Sequence, residues 1–278
     1  MIKTGTIEPM ERPPWAPPSI DIEQPSAARM YDYYLGGTHN FAADRKAAEA
    51  IIAAIPDVFE GCRANRAFLQ RVVRELAEAG VRQFIDIGSG IPTVGNVHEV
   101  ARKAAPDARV VYVDIDPVAV LHARELLADD ERVTVIQQDM REPGGIFEHP
   151  DVARLINPDE PVAVLLMAVL HFVPDEQDPK GLLAAIRDAL PVGSYVALSH
   201  SVKDTRPREA SDAQQVYHRT ANPLTIRTKQ EVTDMFDGFE VLEPGVVYVS
   251  QWRPEPGDPP VEHPERHAIV GGVARRGR

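Results

Sequence analysis

Small and acidic residues recur where predicted strands end, and this pattern predicts a nucleoside-binding pocket. Residues 88–90 (Gly-Ser-Gly) follow a short apolar run, and glycines in such a turn let the backbone approach a ligand closely. Asp114 ends the next run, where an acid can accept hydrogen bonds from both hydroxyls of a ribose. Asp139 and Met140 follow the third run, where the carboxylate could accept from an exocyclic amine and the thioether could pack on a purine.

Two phosphate-binding motifs are missing from the sequence, and this limits the kind of nucleoside that the pocket could bind. A dinucleotide fingerprint has a third glycine, whereas this chain has Thr93 there, preceded by Pro92. The chain also has no G-x-x-x-x-G-K-[ST] phosphate loop. These features favour a nucleoside without phosphates, and a nicotinamide-dependent dehydrogenase remains an alternative because it would use the same turn and the same Asp114.

Strand and helix patterns alternate through the middle of the chain and predict an α/β fold. Parallel strands joined by helices through right-handed crossovers explain this alternation, and the apolar run at 162–169 fits a strand covered on both faces. Asp116 is expected to cap the helix that Pro117 opens. The predicted strands cover residues 83–87, 109–113, 133–137, 162–169 and 194–199, and late strands are expected at 239–242, 246–249 and 268–274.

The N-terminal part has a different composition, which divides the chain into three predicted parts. Residues 1–20 contain five prolines and are expected to form an extended or disordered arm. Residues 21–80 contain helical patterns at 26–35, 41–55 and 57–79 and would form a cap. Residues 81–278 would form the nucleoside-binding α/β part, in one compact unit with the cap.

The sequence between about residues 81 and 201 resembles class I S-adenosylmethionine-dependent methyltransferases. The resemblance is carried by FIDIGSG (84–90), VVYVDID (110–116), QQDM (137–140) and VLLMAVLHFV (164–173). It implies a Rossmann-like, mostly parallel seven-stranded sheet with helices on both faces, S-adenosylmethionine as cofactor and S-adenosylhomocysteine as product. Pro92 departs from the pattern, since many members have a third glycine in this turn.

A narrower resemblance covers nearly the whole chain. The segments RMYDYYLGGTHNFAADR (29–45), RANRAFLQR (63–71), GIPTVGNVHEVA (90–101) and DGFEVLEPGVV (237–247) look like an actinobacterial family of uncharacterised methyltransferases. This resemblance implies an S-adenosylmethionine pocket and leaves the methyl acceptor open.

Site residues follow from these resemblances position by position. The glycine turn would lie along the methionine moiety, and Asp114 would hold the ribose. Adenine would be surrounded by Ile115, Asp139 and Met140. Tyr31, Gly37 and Asn40 would form a lid. Asn65 and Arg66 could reach the methionine carboxylate, for which a guanidinium is well suited. The implied cofactor-binding residues are Gly88, Ser89, Gly90, Asp114, Ile115, Asp139, Met140, Ala168, Tyr31, Gly37, Asn65 and Arg66.

One residue is a candidate for acid–base chemistry at the methyl group. His171, after the fourth predicted strand, could be a general base or a substrate hydrogen-bond partner, and a structural role is the alternative. Methyl transfer needs no acid for its thioether leaving group, so positioning could suffice. The lack of a decisive base also leaves open a non-catalytic protein that binds the cofactor as a regulator.

Composition limits the partners and the cellular setting. Thirty Lys plus Arg against 42 Asp plus Glu give a net charge of −12, which disfavours nucleic acid and anionic membranes as partners. Cys62 is the only cysteine, so an internal disulfide is impossible and a cysteine-based zinc site is not expected. We therefore expect a cytoplasmic protein without a metal, acting on a small-molecule acceptor; the sequence does not predict its oligomeric state.

Overall fold

Five parallel strands form the centre of a sheet to which shorter antiparallel strands are added. The computed structural model describes residues 12–13, 15–93, 95–255, 257 and 261–278. Seven strands lie in the order β3-β2-β1-β4-β5-β8-β6, and the short β7 pairs with β8. The strands are β1 Gln83–Ile87, β2 Arg109–Asp114, β3 Val133–Gln137, β4 Val162–Met167, β5 Tyr195–Ser201, β6 Glu240–Val241, β7 Val247–Tyr248 and β8 Ile269–Arg275.

The strand order follows from the sequence pattern. All residues of β1 and β4 are buried, as expected for strands covered by helices on both faces. The pairs β1–β2, β1–β4, β2–β3 and β4–β5 are parallel, whereas β8 runs antiparallel to β5 and β6. The predicted Rossmann-like, mostly parallel seven-stranded sheet is therefore confirmed in its main path, and β7 is an eighth strand beside it.

Helices cover both faces of this sheet. Side chains of α3, α4 and α5 contribute to the core on one face, and those of α6, α7, α8 and α10 contribute to the core on the other. The helices are α1 Ala27–Tyr34, α2 Ala42–Ala54, α3 Val58–Glu78, α4 Val97–Ala104, α5 Pro117–Leu126, α6 Pro143–Phe147, α7 Pro150–Leu155, α8 Pro179–Ala189, α9 Pro207–Tyr217 and α10 Lys229–Thr233.

The predicted elements agree with these bounds except at a few places. The strands at 83–87 and 133–137 have the predicted limits, and Asp116 caps α5 by accepting from the Val118 N–H at 2.8 Å. The pattern at 93–105 predicts a helix, and the observed α4 begins four residues later, at Val97, because Asn96 and Glu99 form a capping box at its start. The short helices α6 and α7 were not predicted.

A buried ion pair fastens the first two helices to the sheet. Arg29 of α1 is 4% exposed, and its Nε lies 3.0 Å from Oδ2 of Asp44 in α2. Its Nη1 lies 3.8 Å from Oδ2 of Asp116, which begins α5, and the Ser26 hydroxyl donates to the same Asp116 carboxylate. Burial raises the pKa of Asp44, while Arg29 and the N–H groups of Phe41 and Ser26 oppose that rise.

The predicted cap contains helices α1 and α2, which pack with α9 from the other half of the chain in a separate apolar cluster. Helix α3 packs on the sheet as well, since Phe68 and Val72 belong to the core of one face. The division of the chain at residue 80 stays a prediction.

The predicted arm is described only in part. Residues 1–11 and 14 lie outside the described residues. Trp15 stacks on Phe41 with ring centroids 5.2 Å apart, and Ala16 and Ile20 are buried. The described part of residues 1–20 therefore packs against the rest of the protein. Within the described part of the chain, no helix has the length and apolar character needed to cross a membrane.

Removing Asp44 tests the buried ion pair. The Asp44→Ala substitution leaves the buried Arg29 guanidinium with the more distant Asp116 as its remaining carboxylate and the Gln24 carbonyl as a further acceptor, so unfolding free energy should fall by about 3–5 kcal/mol. Urea unfolding followed by circular dichroism measures this change. Glu49→Ala, at an exposed position of the same helix, is the control and should change stability by less than about 0.5 kcal/mol. Equal effects of both substitutions would contradict the role of the pair.

Candidate functional site

A cavity of about 250 Å³ lies at the carboxyl edge of the parallel strands, under α1 and α2. Parallel strands bring their carboxyl ends to one edge, and ligands of open α/β sheets bind there. Of the thirteen residues predicted for the site, counting His171, only Gly37 does not line this cavity. Its lining includes Tyr31, Asn65, Arg66, Gly88, Ser89, Gly90, Asp114, Ile115, Asp139, Met140, Ala168 and His171.

The glycine turn after β1 is held against β2 and β4. The N–H groups of Gly88 and Ser89 both donate to the Val113 carbonyl, at 2.8 and 3.1 Å. A Cβ on Gly88 would lie 2.2 Å from Cγ2 of Val169, so only glycine permits this approach. Gly90 has a φ of +67° and no atom within 4 Å of an added Cβ, which leaves open space beside its backbone.

Asp114 places a buried carboxylate beside that open space. Its Oδ2 accepts from the Gly90 N–H at 2.7 Å, and its Oδ1 accepts from the Asp116 N–H at 2.8 Å. Burial raises the pKa of Asp114 to about 6, although these N–H donors oppose the rise. Each oxygen uses one N–H, so each can still accept from a ligand hydroxyl. The next residue, Ile115, is 45% exposed and offers an uncovered apolar surface in the cavity.

Asp86 is a site residue that the sequence interpretation did not assign. It lies inside β1, is buried, and lines the cavity. Burial and the nearby Asp114 raise its pKa to about 7, while the Arg66 guanidinium opposes the rise. Arg66 donates to the Gly95 carbonyl at 3.2 Å. The sequence itself contains a sign of this role, since an acid interrupts an apolar strand two residues before the glycine turn.

The predicted adenine side is less buried. Met140 is half-buried, and Nε of Arg141 lies 2.8 Å from both oxygens of Asp139. Although burial works in the opposite direction, the hydrogen bonds from Arg141 lower the pKa of Asp139. This carboxylate is therefore ionised near neutral pH and can accept a ligand N–H beside its ion pair.

A chain of hydrogen bonds connects the first helix to the ends of β4 and β5. Tyr31 donates to the Cys62 carbonyl at 3.2 Å and accepts from Asn65 Nδ2 at 3.1 Å. The Ser199 hydroxyl donates to Asn65 Oδ1 at 2.6 Å and accepts from the Ala168 N–H at 2.9 Å. Asn65 thus keeps one N–H for a ligand, and Ala168 is fixed at a φ of +53° beside the cavity.

Gly37, which was predicted to belong to a lid over the cofactor, does not line the cavity. Its N–H donates to the Asp32 carbonyl at 2.8 Å, and a Cβ there would lie 1.9 Å from Asp32 Oδ1. Asn40, also expected in the lid, donates to the other carboxylate oxygen of Asp32 at 2.8 Å. Both residues therefore shape a turn around Asp32 outside the cavity, which explains the need for glycine without a ligand.

His171 is buried at the cavity wall in a neutral form. Its Nδ1 accepts from the Ser201 N–H at 3.4 Å, which assigns the ring proton to Nε2. Burial, together with His200 and Arg227, lowers the pKa of His171 well below its usual value. His200 is structural, since its ring bonds the Ser201 carbonyl and the Arg227 guanidinium, and burial lowers its pKa to about 3. His171 is thus arranged as a hydrogen-bond donor.

The cavity also has an apolar side, which the sequence did not predict. It is formed by α9, where the pattern at 208–220 predicts only a polar helix, and by residues 221–226. Together with α2 and the start of α3 these segments add an apolar wall to the polar strand ends. The residues of this wall are Tyr34, Ile51, Ile55, Val58, Ala210, Ala213, Tyr217, Leu224 and Ile226.

Comparisons with known proteins agree with this geometry. A family model described as S-adenosyl methyltransferase matches residues 13–277. A crystal structure from Thermobifida fusca YX, described as a candidate methyltransferase, is 42% identical with a TM-score of 0.89 and covers 96% of this chain and 100% of its own. A DUF574 family protein from Streptomyces avermitilis is 38% identical with a TM-score of 0.88, over 92% of this chain and 99% of its own.

More distant similarity concerns the fold alone. An O-methyltransferase family protein from Burkholderia thailandensis is 13% identical with a TM-score of 0.52, over 92% of this chain and 65% of its own. A search of curated proteins found no match.

The protonation of His171 can be measured without any ligand. We expect nitrogen–proton correlation spectra of the folded protein to show a neutral ring with its proton on Nε2 between pH 6 and 8, because burial disfavours the charged form. His171→Asn identifies the signal, and the protein unfolded in urea provides the reference in which this histidine titrates. A His171 that gains a proton near pH 6.5 in the folded protein would contradict the assignment.

Proposed function

The chain belongs to the S-adenosyl methyltransferase family, and we propose that it moves a methyl group onto a small molecule bound in the cavity under its cap. Its cofactor is S-adenosylmethionine. The observation that supports the proposal is the continuity of one cavity, which runs from the carboxylate of Asp114 to the apolar wall of α2 and α9. A donor and an acceptor could therefore lie side by side in it.

The polar end of the cavity suits the cofactor. Asp114 would accept from the two ribose hydroxyls, because both of its oxygens have spare acceptor capacity. Ile115 and Met140 would pack on adenine, and Asp139 would accept from its amine. The opposite charges of Arg66 and Asp86 would match the carboxylate and ammonium groups of the methionine part. Gly88, Ser89 and Gly90 would lie along that part, with Ala168 beside the reactive end.

The chemistry requires little of the protein beyond position. When bound, S-adenosylmethionine supplies a methyl group on a sulfonium, whose sulfur leaves as a neutral thioether, so no acid is needed. The protein would hold the acceptor in line with the carbon–sulfur bond and exclude water beneath α1 and α2. His171 would donate a hydrogen bond from Nε2 to the acceptor, rather than remove its proton.

A small acceptor is favoured over a macromolecule. Helices α1, α2 and α9 cover the apolar side of the cavity and pack together in one cluster. The net charge of −12 disfavours nucleic acid as a substrate. The absence of a disulfide framework supports a cytoplasmic reaction.

A second candidate function is regulation by cofactor binding without turnover. The neutral His171, with Nδ1 already used by the Ser201 N–H, favours this possibility because it is a poor base. Incubation with a radiolabelled methyl donor and a broad set of small molecules separates the two functions. Transfer to any acceptor would exclude the regulatory alternative, whereas cofactor binding with no transfer to any of them would favour it.

Replacing Asp114 tests the proposed cofactor site. Asp114→Asn should weaken S-adenosylhomocysteine binding at pH 8 by at least about tenfold, because hydrogen bonds to an ionised carboxylate contribute about 1.5–3 kcal/mol. Isothermal titration calorimetry measures the affinity. Asp129→Asn makes the same change at an exposed position and should leave the affinity unaltered. An unchanged affinity in Asp114→Asn would mean that another acid holds the ribose.

The pH dependence provides a second readout of the same site. Below its pKa of about 6, Asp114 carries a proton and loses its charge, so affinity should fall as the pH decreases. One titrating group gives a loss of about tenfold at one pH unit below its pKa. This acid limb should be absent in Asp114→Asn, where any remaining dependence near pH 7 would come from Asp86. An identical limb in both proteins would contradict the assignment.

A further inference from the structure

The apolar half of the cavity, which we name the acceptor chamber, indicates what kind of molecule it could hold. It is defined by residues whose side chains are all uncharged by type. Seven of the nine are aliphatic residues larger than alanine or aromatic residues with buried rings, and they come from α1, α2 and the residue after it, α3, α9 and the segment after α9. The chamber residues are Tyr34, Ile51, Ile55, Val58, Ala210, Ala213, Tyr217, Leu224 and Ile226.

Tyr34 places a polar atom in this apolar setting. Its side chain is 3% exposed, and its hydroxyl makes no hydrogen bond of ordinary geometry. Tyr217 is close to it, and the two tyrosines shift each other's pKa through a side-chain hydrogen bond of weak geometry. Burial raises the pKa of Tyr34 well above its usual value, so the hydroxyl keeps its proton and can donate or accept. Two hydroxyls that share at most one weak hydrogen bond leave a buried O–H without a full partner, which is costly and points to a partner supplied by a ligand.

Among the described residues beside the chamber, the guanidinium is already paired and a carboxylate adds negative charge. Arg206, just before α9, lines the cavity and lies 2.9 Å from Asp57. Burial raises the pKa of the Cys62 thiol to about 12, and His171 is neutral. Glu209 also lines the cavity and is half-buried. An anionic acceptor would lose its hydration without gaining a free cation from the chamber residues.

From these observations we infer that the acceptor is a neutral molecule with an apolar body and a hydroxyl or carbonyl group that hydrogen-bonds to Tyr34. This inference rests on the proposed function and specifies its substrate class. Tyr34 is then a residue that determines specificity, because its hydroxyl would select acceptors with a polar group at one position of an otherwise apolar body.

Binding of defined probes to the protein saturated with S-adenosylhomocysteine tests the inference without turnover. We expect 2-naphthol to bind in calorimetric titrations at pH 7.5. If the chamber accommodates only a smaller molecule, 4-ethylphenol should bind instead. Naphthalene-2-carboxylate, which is anionic at this pH, should bind at least about tenfold more weakly than 2-naphthol because its charge must be desolvated.

The contribution of the Tyr34 hydroxyl is isolated by changing protein and probe together. Tyr34→Phe should weaken binding of the phenolic probe by about three- to tenfold, the range of one neutral hydrogen bond. Naphthalene, or ethylbenzene for the smaller body, lacks the hydroxyl and should bind equally to both proteins. Tyr33→Phe makes the same change on α1 at a residue that does not line the cavity, and should have no effect.

The outcomes separate this inference from the proposed function. Failure of S-adenosylhomocysteine to bind would overturn the proposed function and this inference with it. If S-adenosylhomocysteine binds but neither phenol does, only this inference is overturned. The same holds if the anionic probe binds as well as 2-naphthol, or if Tyr34→Phe weakens the probes with and without a hydroxyl equally.

Discussion

The buried guanidinium of Arg29 is the interaction on which the site depends. It lies between Asp44 of α2 and Asp116 at the start of α5, so it joins two cap helices to the loop that follows β2. Strand β2 ends in Asp114, whose Oδ1 accepts from the Asp116 N–H of that loop. A buried charge that loses its partner is strongly destabilising, so the cap is held at a fixed place over the strand ends. The cavity exists because the cap lies there.

The second link between cap and sheet passes through uncharged groups. Tyr31, Asn65 and Ser199 connect α1 and α3 to β5, and Ser199 also fixes the backbone of Ala168. With a neutral His171 beside them, the middle of the cavity has polar groups but no ionised base. Such a setting can orient an acceptor and exclude water, which is what displacement at a sulfonium requires.

The parallel sheet could be predicted because its signals are local. Apolar runs set β1 and β3 within their observed bounds, and parallel pairing necessarily brings Gly88, Asp114 and Asp139 to one edge. The short helices α6 and α7 were harder to predict, because they have five and six residues, too few for a periodic pattern.

The other half of the cavity could not be predicted from local signals. Tyr34, Tyr217 and Leu224 meet only through the packing of α1 against segments almost two hundred positions away, and nothing in any one segment marks them. Asp86 was overlooked because it lies inside a strand rather than after it. Gly37 was predicted to bind the cofactor but lies at a turn outside the cavity, because a glycine needed for a tight turn and one needed for a ligand look alike in a sequence.

The most direct measurement is a crystal structure of the protein grown with S-adenosylhomocysteine. The account predicts density with its ribose at Asp114, its adenine between Ile115 and Met140, and its sulfur facing the chamber that contains Tyr34, with α1 and α2 in place above it. Ligand density in any other part of the molecule would contradict the account. A structure without ligand, in which side chains of the cap have repacked to fill the cavity, would contradict it as well.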